Sequence, residues 1–315
     1  MRICSKLPEW ALESICCPAC RSDLELNNGL KCLNPECKAV FPVINNVPVL
    51  LDEKKSVFLK DDFINMCDTY HKRNSFVRTV FKLMPKISAN IKAKRNYSKL
   101  TGLLLNDSKN PRVLVLGGGI PGNGIEMLFD PKIELLETDV FFGPRTAAIV
   151  DAHCIPFKDN TFDGVVIQAV LEHVVDPALC VKEIHRVLKD NGFVYSETAF
   201  MQQVHGGSFD FTRFTHLGHR LLFRQFQKIE SGAVCGTGMA LAWSYERFLE
   251  SLSGSSTLQI TARVFARLTA FWLKYFDYLT INKPKTLDNA AAYYFLGRKS
   301  DRNLADRVVI RSYEN

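Results

Sequence analysis

The stretch RVLVLGGGIPGNGIEM, Arg112 to Met127, runs from a β-branched, apolar segment into five glycines within eight residues. A buried strand that ends in a glycine turn points to an α/β architecture, which binds its ligand at the carboxyl ends of the strands. The letters fit G-x-G-x-x-G at Gly117, Gly119 and Gly122, a weak signal by itself. A dinucleotide turn leads straight into a regular helix. Here Pro121 interrupts that geometry and Gly124 weakens a first helical turn. The loop therefore reads as broader than a diphosphate-binding turn. Glu137 and Asp139 stand about 20 positions on, where an acidic residue suits a ribose hydroxyl. Asp139 ends its strand and is the better candidate.

The segments that follow alternate between strand-like and helix-like, as in a parallel sheet. RVLVLG, IELLETD, TAAIVDA and FDGVVIQAV read as four strands. PALCVKEIHRVLK is an amphipathic helix opened by Asp176-Pro177, a cap followed by proline in the first turn. NGFVYSETAF is a fifth strand and AAAYYFLGRK a later one. Residues from about 200 onward are otherwise mixed. We divide the chain into a zinc-ribbon-like domain (1–52), a basic helical linker or lid (53–110), a main domain (111–300) and a tail (301–315).

Ten cysteines in 315 residues are too few for a disulfide scaffold, yet Cys16, Cys17, Cys20, Cys32 and Cys37 cluster. Two pairs, Cys17-x2-Cys20 and Cys32-x4-Cys37, suit a tetrahedral zinc site. Cys16 is an alternative ligand. A closed four-thiolate site gives zinc a structural role. Asn45-Asn46, between two short apolar runs, is a hairpin signal. No leader-like apolar segment opens the chain, and no run of apolar residues is long enough to span a bilayer. We expect a cytoplasmic protein. The net charge of +7 is uneven: residues 54–109 hold 13 Lys/Arg against 4 Asp. That segment is either a solvated helical face or a surface for a phosphate-bearing partner.

The run VDAHCIPFKDNTFDGVVIQAVLEHVVDPALCVKEIHRVLKDNGFVYSETAF closely resembles the type-11 class I S-adenosylmethionine (SAM) methyltransferases. An acidic residue before a -LPF- turn, -FD-V-, LEHV-DP and a helix ending E--RVLK follow in the family's order. Asn191-Gly192 replaces a frequent glycine pair, and the spacer from Asp139 to Asp151 is short, so a helix and strand there are expected to be trimmed. The resemblance implies a Rossmann-like α/β fold, mostly parallel with one antiparallel strand. It implies that Gly117, Gly118 and Gly119 approach the methionine end of SAM. Asp139 would hold the ribose, Asp151 and Ala152 would meet the adenine, and Gln168 would lie beside the amino-acid end or the methyl group. The cysteine segment with its FPV-----PVLL tail resembles zinc ribbons that act as methyltransferase activators or precede methyltransferases.

Methyl transfer from a sulfonium needs alignment and a dry site, plus a base if the acceptor is a hydroxyl or amine. FMQQVHGGSFDFTRFTHLGHRLLF, after the fifth strand, offers candidates. His205 is the expected base, Asp210 its orienter or a substrate ligand, and Arg213 a holder of an anionic group. An Asp210–Arg213 pair that only pins the loop is the competing reading. His173 is expected to pack or hydrogen-bond near the cofactor. Val264, Phe265, Leu268, Phe271, Trp272, Tyr275, Phe276 and Leu279 form an apolar stripe at helical spacing. We expect it to pack inward rather than lie on a membrane surface. The leading function is methylation of a small molecule, a sugar or glycan intermediate or a secondary metabolite. The alternatives are an RNA (ribosomal RNA) methyltransferase, since zinc-finger members exist and the linker is basic, and a non-catalytic SAM-binding scaffold.

Overall fold

The computed structural model describes residues 6–26, 29–65 and 84–313. Two sheets form among them. The small one holds β1 (Leu24–Leu26), β2 (Leu30–Cys32) and β3 (Val40–Phe41), all antiparallel. The large one is built from β4 (Val43–Ile44), β5 (Val47–Leu50), β6 (Arg112–Leu116), β7 (Glu134–Asp139), β8 (Ala148–Val150), β9 (Phe162–Gln168), β10 (Leu188–Ala199), β11 (Phe226–Cys235) and β12 (Ala292–Lys299). Their spatial order is β11-β12-β10-β9-β6-β7-β8-β5-β4.

β6 and β9 sit at the centre, and their apolar runs are buried on both faces, as parallel strands covered by helices require. β12 is the expected antiparallel strand, inserted between β10 and β11. β4 is a second one, at the far edge. Asn45 and Asn46 both adopt left-handed backbone (φ 51° and 64°), which a two-residue hairpin turn demands. The hairpin that they close does not stay with the cysteine segment. Its second strand, β5, pairs in parallel with β8 and so extends the large sheet.

The trimming expected between Asp139 and Asp151 is visible: β8 has three residues, and no helix precedes it. Only a 3-10 turn, Ile125–Leu128, follows the glycine loop. Gly124, at φ 88°, has its missing Cβ position 2.8 Å from the Ala93 carbonyl carbon, so helix Ala93–Asp107 presses on the loop. The Asp176 side chain caps helix Pro177–Val187 by accepting from Leu179 N (2.9 Å).

The cysteine segment is docked onto the main sheet. Cys16 N donates to Pro156 O (3.0 Å), Lys158 N to Ser14 O (2.9 Å) and Arg21 Nη1 to Ile155 O (2.6 Å). Arg21 also pairs with Glu183 at 2.5 Å. Leu7, Ala11, Ile15, Leu30 and Phe41 share one core with Phe157, Phe162 and Ile184.

β11 and the helices Thr237–Ser251 and Ser256–Ala270 lie in the stretch that the sequence leaves unread. β11 is an edge strand whose first half is only partly buried, which blurs its alternation. The apolar stripe behaves against expectation. Ala266 and Ala270 are the buried positions of helix Ser256–Ala270, because small residues let it approach Ala242 of the preceding helix. Phe265, Leu268, Trp272, Tyr275, Phe276 and Leu279 consequently face outward. In the basic segment, Lys94 pairs with Glu126, while Arg95 and Lys99 share Glu230. Lys72, Arg73, Arg78 and Lys82 lie outside the described residues. No described helix is long and apolar enough to cross a membrane.

Candidate functional site

The carboxyl ends of β6, β7, β9 and β10 converge on two cavities. Gly117 ends β6 at φ 76°, and a Cβ there would stand 2.3 Å from Val170 Cγ2. Only glycine fits so close to the loop after β9. At Gly119 a Cβ would meet Asp139 Oδ2 at 2.9 Å, and at Gly122 one would meet Gln168 Oε1 at 1.9 Å. The glycines thus let the loop seat against the acidic and amide side chains of neighbouring strands.

Asp139 accepts from Gly119 N (2.8 Å) through one oxygen and from Val140 N (2.7 Å) through the other. No cation pairs with it among the described residues, and burial raises its carboxyl to about 6. Each oxygen keeps a further lone pair. Asp139 lines a cavity of ≈ 210 Å³ with Val140, Phe141, Asp151, Ala152 and Val174. Asp151 accepts from His153 N and faces His153 Nδ1 at 2.6 Å, and it takes the Ser56 hydroxyl at 2.5 Å. Burial works against ionisation, yet His153 and Ser56 hold Asp151 below the usual carboxylate range. Ser56 belongs to a strap that continues from β5, and Phe58 of that strap stacks on Phe209 (centroids 5.4 Å apart). Val57 and Phe58 close this cavity from the N-terminal side.

The second cavity, of ≈ 320 Å³, shares Leu116, Gly117, Ile120 and Ala169 with the first, so the two join across the glycine loop. Gln168 donates to Glu197 Oε2 (2.8 Å) and to Asn123 O (3.2 Å), and takes the Tyr97 hydroxyl on its own oxygen (3.1 Å). Glu197 also accepts from Asn90 Nδ2 (2.8 Å) and the Tyr195 hydroxyl. Burial raises its carboxyl. Glu172 and His205 complete the wall. Among the described residues, no Lys or Arg lines either cavity.

His205 is brought to the cavity; Asp210 and Arg213 are not. Asp210 accepts from the His205 and Gly206 backbone amides (2.7 and 2.9 Å) and from Arg213 Nη2 (3.0 Å). Burial opposes its charge, but Arg213 and the two amides hold it well below the normal range. Arg213 also donates to the Gln202 and Gln203 carbonyls (2.8 and 3.1 Å). The pair therefore ties the loop together, and both line a separate, shallow cleft. His205 Nδ1 faces Gln203 O at 3.1 Å, nearer than Asp210 Oδ2 at 3.7 Å, and Nε2 looks toward Glu172 Oε1 at 4.0 Å. Burial lowers the His205 pKa.

Glu172, Glu197, Asn90 and the Ser56–Phe58 strap are absent from the sequence reading. Glu197 had a signal: the one charged residue within the strand-like run GFVYSETAF. Asn90 and Ser56 had none, since each reaches the site from a distant segment.

The four expected cysteines meet. The Sγ atoms of Cys17 and Cys37 are 3.7 Å apart, those of Cys20 and Cys32 3.4 Å, and all four lie within 4.8 Å of one another. A tetrahedral zinc with bonds of about 2.3 Å needs sulfur–sulfur edges of roughly 3.8 Å. The set fits a structural zinc ion, and Cys16 is not part of it.

A family model described as a methyltransferase domain matches residues 135–196. That span carries nearly all of β7 to β10, with Asp139, Asp151, Ala152 and Gln168. No curated protein matches the chain. Among solved structures, the Burkholderia thailandensis 1,6-didemethyltoxoflavin-N1-methyltransferase shares 14% identity at TM-score 0.43, covering 83% of this chain and 96% of its own. The Haemonchus contortus phosphoethanolamine N-methyltransferase 2 shares 16% at TM-score 0.39, over 73% of this chain and 61% of its own. The [4+2]-cyclase SpnF shares 17% at TM-score 0.37, over 64% and 80%. These remain likenesses. The matched segment, set in this sheet, is similar to a methyltransferase domain.

Proposed function

We propose that the chain transfers the methyl group of SAM to a small-molecule acceptor held in the larger cavity. The observation that carries this reading is the joined pair of cavities at the strand ends, with Asp139 on one side and Glu172, Glu197 and His205 on the other. Asp139 would take the ribose hydroxyls, Ala152 and Asp151 the adenine edge, and Gly117 to Gly119 with Gln168 the methionine end. SAM supplies the activated carbon, and the walls exclude water and align the acceptor. A hydroxyl or amine acceptor gives up its proton at the Glu172–His205 end of the cavity, where the free basic atoms are. Asp210 and Arg213 support His205 by fixing its loop.

The carboxylates in the lining, and the lack of Lys or Arg among its described residues, favour an uncharged or cationic acceptor over a phosphorylated one. The same lining, with the paired state of Lys94, Arg95 and Lys99, weighs against RNA. A sugar or similar polyol fits the reading. The test is calorimetric titration of SAM and S-adenosylhomocysteine into zinc-loaded protein, with Asp139→Ala as control. Saturable binding lost in the variant is expected. Absence of binding to the native chain overturns the reading, and activity in cells that survives Asp139→Ala points to a scaffold instead.

A further inference from the structure

Apart from the four cysteines, the described residues contain one cluster able to hold a cation: Glu172, His173 and His205, with one ligand atom from each lying within 4.8 Å of the others. The first two belong to the 3-10 turn Leu171–His173 after β9, and the third to the loop after β10. Each imidazole has its Nδ1 against a backbone carbonyl, His173 on Phe209 O (2.6 Å) and His205 on Gln203 O (3.1 Å). A carbonyl only accepts, so His173 Nδ1 carries the proton and its Nε2 keeps its lone pair, whereas His205 Nδ1 also meets Arg213 Nη2 at 3.4 Å and turns its Nε2 toward Glu172. The two rings stand edge to face with centroids 4.9 Å apart. Glu172 accepts the Thr198 hydroxyl on Oε2 (3.0 Å), which leaves Oε1 toward His205 Nε2. A carboxylate and two imidazoles, each braced from behind by a hydrogen bond, is how protein ligands are held ready for a metal.

Glu172 is 1% exposed, and no Lys or Arg pairs with it among the described residues. A buried carboxylate normally has a cationic partner. The cluster also stands where the cavities meet, since Glu172 and His205 line the larger and His173 the smaller.

We propose that Glu172, His173 and His205 bind a divalent cation that holds the acceptor through a pair of neighbouring oxygens. The inference deepens the methyltransferase reading and rests on it. Two histidines and one carboxylate on one side of an ion leave coordination positions open to a chelating ligand such as a vicinal diol. Coordination makes the hydroxyl more acidic; with Glu172 and His205 then serving as ligands rather than as the base, its proton passes to a water held on the ion and from there to solvent. The oxygen's electron pair then forms the new O–C bond while the C–S bond of SAM breaks, and the sulfur keeps that pair as S-adenosylhomocysteine leaves. The cation is not oxidised or reduced.

The test is titration of the zinc-loaded, SAM-saturated full chain with Mn2+, followed by the electron-spin resonance of the free ion, and repeated with Co2+ by calorimetry. Mn2+ favours nitrogen and oxygen ligands over thiolates. Saturable binding of one ion per chain is expected, at least tenfold weaker in Glu172→Gln and in His205→Gln. Glu172→Gln keeps an acceptor for Thr198, and retained SAM affinity shows that each variant is folded. Normal SAM binding with no uptake of either ion, or equal uptake by the variants, overturns the cation site and leaves the methyltransferase reading standing. Loss of SAM binding by the native chain overturns both.

Discussion

If Asp139 takes the ribose of SAM as proposed, the affinity for SAM should depend on pH in a definite direction. Burial raises its carboxyl to about 6, from 3.8 in an unfolded chain. Two ribose hydroxyls would donate to it fully only when it is ionised, so the cofactor should bind the charged form and expel a proton. At pH 5, one unit below that value, about a tenth of the sites are ionised, and affinity is expected to be roughly tenfold weaker than at pH 7, about 1.4 kcal/mol. The protein without cofactor shows the opposite trend. A raised folded value means that the neutral carboxyl stabilises the fold below about pH 4. That stability, on the order of 3 kcal/mol, is lost as pH rises through about 6. Calorimetry of the zinc-loaded chain between pH 5 and 7.5, in buffers of different ionisation enthalpy, reads both affinity and proton release. Asp139→Asn should bind weakly and without the slope. A flat profile in the native chain, or the same slope in the variant, refutes the assignment of Asp139 to the ribose.

Gly117→Ala forces a side chain into left-handed backbone 2.3 Å from Val170. It should cost about 1–3 kcal/mol of stability and weaken SAM more than tenfold, read by denaturant unfolding and by titration. Stripping zinc, or Cys32→Ser, should lower the thermal midpoint by several degrees, since a four-thiolate zinc site, with Cys17 and Cys32 buried and Cys20 and Cys37 half-buried, would hold the domain together. It should also weaken SAM, because the cysteine domain holds residues 155–158 just beyond Asp151 and Ala152. Unchanged SAM affinity after zinc loss would show that the docking does not reach the cofactor site. Asp210→Asn loosens the loop that carries His205, so the acceptor KM should rise severalfold while the Kd of SAM stays constant. A parallel loss of SAM affinity would place Asp210 elsewhere in the mechanism.

Local features decided much of this protein. The central strands are legible because both of their faces are buried, which makes their runs continuously apolar. Helix Pro177–Val187 announces itself through Asp176-Pro177, the hairpin through Asn45-Asn46, and the zinc ligands through cysteine spacing. Each of these signals acts over a few residues, where sequence order and spatial neighbourhood coincide. The tertiary structure alone decided where the pieces meet. β5 leaves the cysteine domain to extend the large sheet, and Ser56 behind it caps Asp151, 95 residues away. Asn90 and Gln168 converge on Glu197 from two separate segments. Asp210 has an arginine three residues on and spends its charge on the loop rather than on the cavity. Most of the apolar stripe from Phe265 to Leu279 turns outward because Ala266 and Ala270 permit the closer helix contact, and Phe271 alone of its aromatics packs beside Ala242 and Ala270. A sequence pattern records that a residue can be buried or charged. Which surface buries it, and which partner meets its charge, depends on segments far along the chain.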